Sequence, residues 1–113
     1  MSDCLFCSIA KGDIPADIVM ETPDAVAFRD IAPEAPTHIL VIPREHVESV
    51  ARAGADRNDA MLGSLMRAAT DLAVQEGIES YRIVTNVGED AGQSVFHLHL
   101  HLLGGRAMSW PPG

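Results

Sequence analysis

Positive charge is scarce in this chain. Sixteen Asp and Glu stand against eight Lys and Arg, a formal net charge of −8 with histidine neutral. A polynucleotide needs a basic surface for its phosphates, so no nucleic-acid polymer is expected as partner. A small anion held by backbone amides and a few histidines stays open. Long apolar runs are missing as well. No stretch approaches the roughly 20 residues that cross a bilayer, and the opening MSDCLFCSIAKGD lacks the basic-then-apolar build of a secretory leader. The expectation is a soluble, cytoplasmic protein without a membrane partner. Repeats and low-complexity segments are absent. The 113 residues suffice for one domain with a modest core, so 1–113 is read as a single unit. Cysteine is limited to Cys4 and Cys7, spaced C-x-x-C. In a cytosolic chain that spacing reads as metal or redox before structural disulfide.

What is present is a run of short elements. CLFCSIAKGDIP predicts a short helix stopped by Gly12 and Pro15. DIVMET and AVAFRDI are β-prone and separated by a Pro-Asp turn signal, so they predict a hairpin. THILVIP alternates between proline stops, with His38, Leu40 and Ile42 on one face and Ile39 and Val41 on the other. From Asp59 to Glu76, Met61, Leu62, Leu65, Met66, Ala69, Leu72 and Ala73 recur at helical spacing. Asn58 is placed to cap that helix and Gly77 to end it. YRIVTN predicts a fourth strand, VGEDAGQS a glycine-rich loop and VFHLHLHLL a fifth strand. Strands broken by one long and one short helix point to an α+β fold with a five-stranded, mostly antiparallel sheet.

Three of the five histidines fall within HLHLHLL, residues 97–103. On a strand, successive side chains alternate faces, so His97, His99 and His101 share one face and Leu98, Leu100 and Leu102 face the core against the long helix. Imidazoles titrate near neutrality and are costly to bury without partners, so a row of them implies chemistry. Metal ligation is one reading, since a strand H-x-H pair presents two nitrogens to zinc. Nucleophilic and acid–base work at phosphorus is the other. GEDAGQS offers backbone amides around Gly88, Gly92, Gln93 and Ser94 that suit phosphate oxygens, which favours the second. All three histidines as ligands to one catalytic metal is excluded: i and i+4 on a strand lie about 13 Å apart, while metal–nitrogen bonds are near ~2 Å.

QSVFHLHLHLL resembles the histidine-triad (HIT) superfamily, and the likeness runs through IPA, AFRDIAPEAPTHILVIPREHV and TNVGEDAGQSVFHLHLHLLGGRAMSWPPG. The ending GGRAMSWPPG resembles the Hint branch, the nucleoside phosphoramidases. The resemblance implies a HIT-like fold whose homodimer joins two sheets into one of ten strands. It implies hydrolysis of purine nucleoside 5′-phosphoramidates, derivatives of AMP or GMP, with His99 attacking the α-phosphorus. His101 and His38 would contact the phosphate and help protonate the leaving group, and His97 would orient His99. Ser94, Asn86 and the Gln93 backbone would hold phosphate oxygens or the leaving nitrogen, and Asp30 the ribose hydroxyls. Leu5, Phe6, Ile9, Phe28, Ile31 and Leu40 would line the base pocket. Trp110, in a 104–113 tail, would dock near the partner's active site. Arg29 departs from a histidine common in the branch, and strand alternation points it away from Phe28 and Asp30.

CLFC alone fits a metal pair or two small buried hydrophobes equally. The resemblance implies a structural zinc on Cys4, Cys7, His46 and His97, pinning residues 1–12 to the sheet, with no catalytic metal required. Two alternatives stand beside phosphoramidate hydrolysis: cleavage of dinucleoside polyphosphates, and a zinc-held nucleotide-binding interaction module.

Overall fold

A computed structural model describes residues 4–113; residues 1–3, the start of the segment expected to be pinned by zinc, lie outside the described residues. Helix α1 runs Leu5–Lys11, with Cys4 Sγ accepting from the Cys7 amide and Gly12 closing it in the left-handed region at φ 82°. Only glycine enters that region without steric cost, so the helix stops there. Strands β1 (Ile18–Glu21) and β2 (Ala25–Arg29) form the expected hairpin, its turn closed by the Ala25 amide donating to Thr22 Oγ1 at 2.9 Å. Strand β3 spans Thr37–Pro43. Then come helices α2 (Val50–Ala55) and α3 (Asp59–Gln75), β4 (Tyr81–Val84) and β5 (Leu100–Gly104). Asn58 caps α3 by accepting from the Met61 amide at 3.1 Å.

The sheet order is β1-β2-β3-β5-β4, and every neighbouring pair is antiparallel. Its two faces do different work. Ile39, Val41, Leu100 and Leu102 pack with Leu98 against Leu65, Ala69, Leu72 and Ala73 of α3. Val26, Phe28, Leu40 and Ile42 pack on the opposite face against Phe6 and Ile9 of α1. Each large apolar side chain buried there contributes roughly 2 kcal/mol by removal from water. Among the described residues, no helix is long and apolar enough to cross a membrane.

Three expectations need correction. Helix α2 was not anticipated; it is one short turn-and-a-half whose single buried residue is Ala53, too little for a periodic signal. Met66 of α3 is 47% exposed, and the small Ala68 takes the buried position instead. The histidine strand, expected over 95–103, joins the ladder only at Leu100. Before that, the Leu98 amide donates to the Val47 carbonyl rather than to a strand partner. Leu98 nevertheless stays buried on the α3 side, so the apolar alternation outlasts the hydrogen-bond ladder.

Candidate functional site

The α1 face of the sheet opens into a cleft of about 490 Å³. Its apolar walls include Leu5, Phe6, Ile9, Phe28, Ile31 and Leu40, and its polar end Asp30, Ser94, His99 and His101. Ile31 stands fully exposed at the rim. Ile14, Pro15 and Ala16 also line the cleft and were not among the expected pocket residues.

The histidines form a directed set of hydrogen bonds, and their donors follow from what each partner can accept. His99 lies 7% exposed with its ring edge-on to Phe6, centroids 5.1 Å apart. Its Nδ1 is 2.7 Å from the His97 carbonyl, which only accepts. Nδ1 therefore carries the hydrogen, and Nε2 of the neutral ring keeps its lone pair. His38 is fixed the opposite way. The Glu34 amide donates to His38 Nδ1 at 3.0 Å, so the His38 hydrogen sits on Nε2. That Nε2–H donates to His101 Nδ1 at 2.8 Å, with Asp30 Oδ2 3.4 Å away. His101 must then carry its hydrogen on Nε2. This Nε2 is buried and has no hydrogen-bond partner among the described residues. Leaving a buried donor unmet costs about 1–3 kcal/mol, and an entering oxygen anion would meet it. Burial holds the His101 pKa down to about 4, helped by His99 and His38 and opposed by the Asp30 carboxylate. At neutral pH it is an uncharged donor.

Other expected site residues sit further off. Ser94 is exposed at the cleft wall. Asn86 is half-buried beside Gly92 rather than on the cleft lining. The Gln93 amide, expected to meet phosphate, is taken by the Gly88 carbonyl at 3.0 Å. Its buried side chain staples the loop, with Oε1 accepting from Gly88 N and Nε2 donating to the Glu48 and Val95 carbonyls. Backbone demand in a tight glycine loop consumes that donor, so Gln93 is a scaffold. Trp110 is 80% exposed, away from the cleft of its own chain, under the Arg82 guanidinium at 5.8 Å. Arg29 also lines the cleft, and its guanidinium pairs with Glu76 at 2.7 Å.

Among the described residues, two side-chain clusters have metal-ligating chemistry: Cys4, Cys7, His46 and His97, and separately Asp30, His38 and His101. In the first, His97 Nδ1 lies 3.4 Å from both sulfurs and 3.3 Å from His46 Nδ1, and Cys7 Sγ is 3.2 Å from His46 Nδ1. A tetrahedral zinc with ordinary Zn–S and Zn–N bonds has S···N edges of about 3.5 Å and N···N edges of about 3.4 Å. These four separations fit that shell, and all four ligand atoms lie within 4.8 Å of one another. His97 Nε2 donates to the Pro43 carbonyl at 2.9 Å, which leaves Nδ1 unprotonated and ready to ligate. Burial pushes the His97 pKa down, with the Pro43 bond opposing and His46 and His99 adding to the fall, so the ring stays neutral as a ligand must be. The second cluster fails the same test. A metal on His38 Nε2 would need the nitrogen that the Glu34 amide forces to carry hydrogen.

A family profile described as the HIT domain matches residues 11–108, a span that begins after both cysteines. An uncharacterized HIT-like protein of Synechococcus elongatus is 50% identical over 112 residues, 98% of this chain and 97% of that one. A 14 kDa zinc-binding protein of Zea mays is 48% identical over 115 residues, 99% of this chain and 89% of that one. The crystal structure of a HIT family hydrolase from Legionella pneumophila superposes with a TM-score of 0.94 at 49% identity, covering 98% of this chain and 100% of that one.

Proposed function

This chain belongs to the HIT domain family, and from that premise we propose that it hydrolyses the P–N bond of purine nucleoside 5′-phosphoramidates. The observation that carries the reading is the pairing of an unprotonated His99 Nε2 with the unmet His101 Nε2–H at the polar end of one cleft. His99 Nε2 attacks the α-phosphorus while its Nδ1–H stays on the His97 carbonyl, which stabilises the positive charge the ring acquires. The P–Nε2 bond forms, the P–N bond breaks, and the amine departs with one proton taken up through His101. The phosphoryl anion opposite His101 favours its protonated form during that step. Water then displaces His99 from phosphorus. The nucleoside monophosphate leaves, and the water's proton replaces the one consumed.

The apolar cleft takes the base and Asp30 the ribose hydroxyls. Asn86 and Ser94 serve the phosphate or the leaving nitrogen, Asn86 after a side-chain movement toward the cleft. Zinc on Cys4, Cys7, His46 and His97 is structural, because four protein ligands close the tetrahedral shell and leave no substrate position. The name of the maize relative supports that assignment, and a cytoplasmic setting keeps both thiols reduced. The acting unit is a homodimer in which the exposed Trp110 of the 104–113 tail reaches the partner's cleft.

Trapping labelled AMP on the protein and mapping the attachment tests the mechanism. The expected result is label on His99, and its loss together with turnover in His99→Ala. Label on another residue, or substantial turnover in His99→Ala, overturns it. Turnover of a dinucleoside polyphosphate with none of an adenosine phosphoramidate would move the assignment to that substrate class.

A further inference from the structure

The hydrogen on His101 Nε2 traces back to a backbone amide in the loop 30–36, so whatever holds Glu34 also holds the site's donor. The loop is short on regular structure. The Ala32 amide donates to Asp30 Oδ1 at 2.9 Å, and the Asp30 amide to the His38 carbonyl at 2.9 Å. From outside the loop, Arg106 Nε donates to the Glu34 carbonyl at 3.0 Å, across 72 residues of sequence. The hydrogen bond to His38 Nδ1 leaves the amide of that same residue. Arg106 itself is steadied by Nη1 donating to the Ala107 carbonyl at 3.2 Å. Its neighbour Gly105, at φ 94°, lies so close to the loop that a Cβ there would come within 2.9 Å of Pro36 Cβ. The turn after β5 thus grips Glu34 on its carbonyl side while His38 engages its amide side.

We infer that Arg106 is a positioning residue for the histidine pair: by fixing Glu34 it keeps the hydrogen of His38 on Nε2 and that of His101 on its buried Nε2. Arg106 is not among the residues that line the cleft, and its hydrogen bond reaches the site through the loop. Without it the Glu34 amide drifts from His38 Nδ1. The His38 hydrogen is then held on Nε2 only by the Asp30 carboxylate at 3.4 Å and by His101 Nδ1, and the order imposed on His101 weakens with it. The kinetic part of this inference rests on the phosphoramidase reading above; the tautomer part does not.

The test compares Arg106→Met and Arg106→Ala, which lack the donor, with Arg106→Gln, whose amide nitrogen stands the same number of bonds along the side chain as Arg Nε. Nitrogen-15 imidazole spectra of the whole protein at neutral pH report the tautomers directly. His38 and His101 are expected as Nε2–H in the wild type and in Arg106→Gln, and as mixtures in the Met and Ala variants. With an adenosine phosphoramidate, kcat should fall about tenfold in Met and Ala while KM moves little. That is less than the ~100-fold that a full ångström of misplacement costs. Arg106→Gln should restore the rate. Unchanged tautomers in Met and Ala overturn the inference, including the case where only thermal stability falls. Equal loss in Gln and Met overturns it too, since charge rather than the hydrogen bond would then be responsible. If no form turns over phosphoramidates, the proposed activity fails while the spectra still decide the role of Arg106.

Discussion

The depressed pKa of His101 makes stability depend on pH in a calculable way. In the folded protein this ring stays neutral down to about 4, while in the unfolded chain it titrates near 6.5. Between those values the unfolded state binds the extra proton, so acidification favours unfolding. The stabilisation is whole above pH 6.5 and is lost as pH falls toward 4. Taking both values in the linkage relation, the loss at pH 5 relative to pH 7.5 is about 2 kcal/mol. For a chain of this size that corresponds to a fall in Tm of about 8 °C. His101→Gln removes the titration, so its stability should drop less over the same interval. Urea unfolding of both proteins at the two pH values isolates the effect of His101 together with its coupling to His99, His38 and Asp30, because titrating groups remote from it contribute equally to both. Parallel pH curves would refute the reasoning, and with it the claim that this ring is held neutral by burial.

Two further outcomes follow from other parts of the structure. Chelation of the metal should lower Tm without immediate loss of turnover at low temperature, because buried Phe6 and Ile9 still anchor α1 at roughly 2 kcal/mol each. Instant loss of activity, fully restored by added metal, would instead mark the ion as catalytic. Gln93→Ala removes the side-chain partner of the Gly88 amide and of the Glu48 and Val95 carbonyls, three part-buried hydrogen bonds. It should cost about 1–3 kcal/mol per group left buried and unmet, read as a lower urea midpoint. A midpoint equal to wild type would mean the loop is held by its turns alone.

Much of this arrangement is legible in the sequence where side chains repeat with a period. The alternation of THILVIP puts His38 and Leu40 on the α1 face and Ile39 and Val41 on the α3 face, as observed. The Asn58 cap and the Leu65, Ala69, Leu72, Ala73 stripe of α3 read equally well. The spacing of Cys4 and Cys7 marks them as a pair, but their convergence with His46 and His97 depends on tertiary packing across as many as 93 residues. Two features had no local signal. Gln93 looks like any polar loop residue until its neighbours' unmet backbone groups are known, and Arg106 acts at a distance through a main-chain carbonyl. The entry point of β5 is not legible, because side-chain alternation continues through Leu98 whereas hydrogen bonding there goes to Val47.

The sheet is also a partition, and that has a practical consequence. The cleft and both histidine clusters lie on one side, while the outer surface of α3, with Val74 82% exposed, lies on the other. A tether or dye attached at Val74 would leave the mouth of the cleft unobstructed. The chain can therefore be immobilised or labelled from behind.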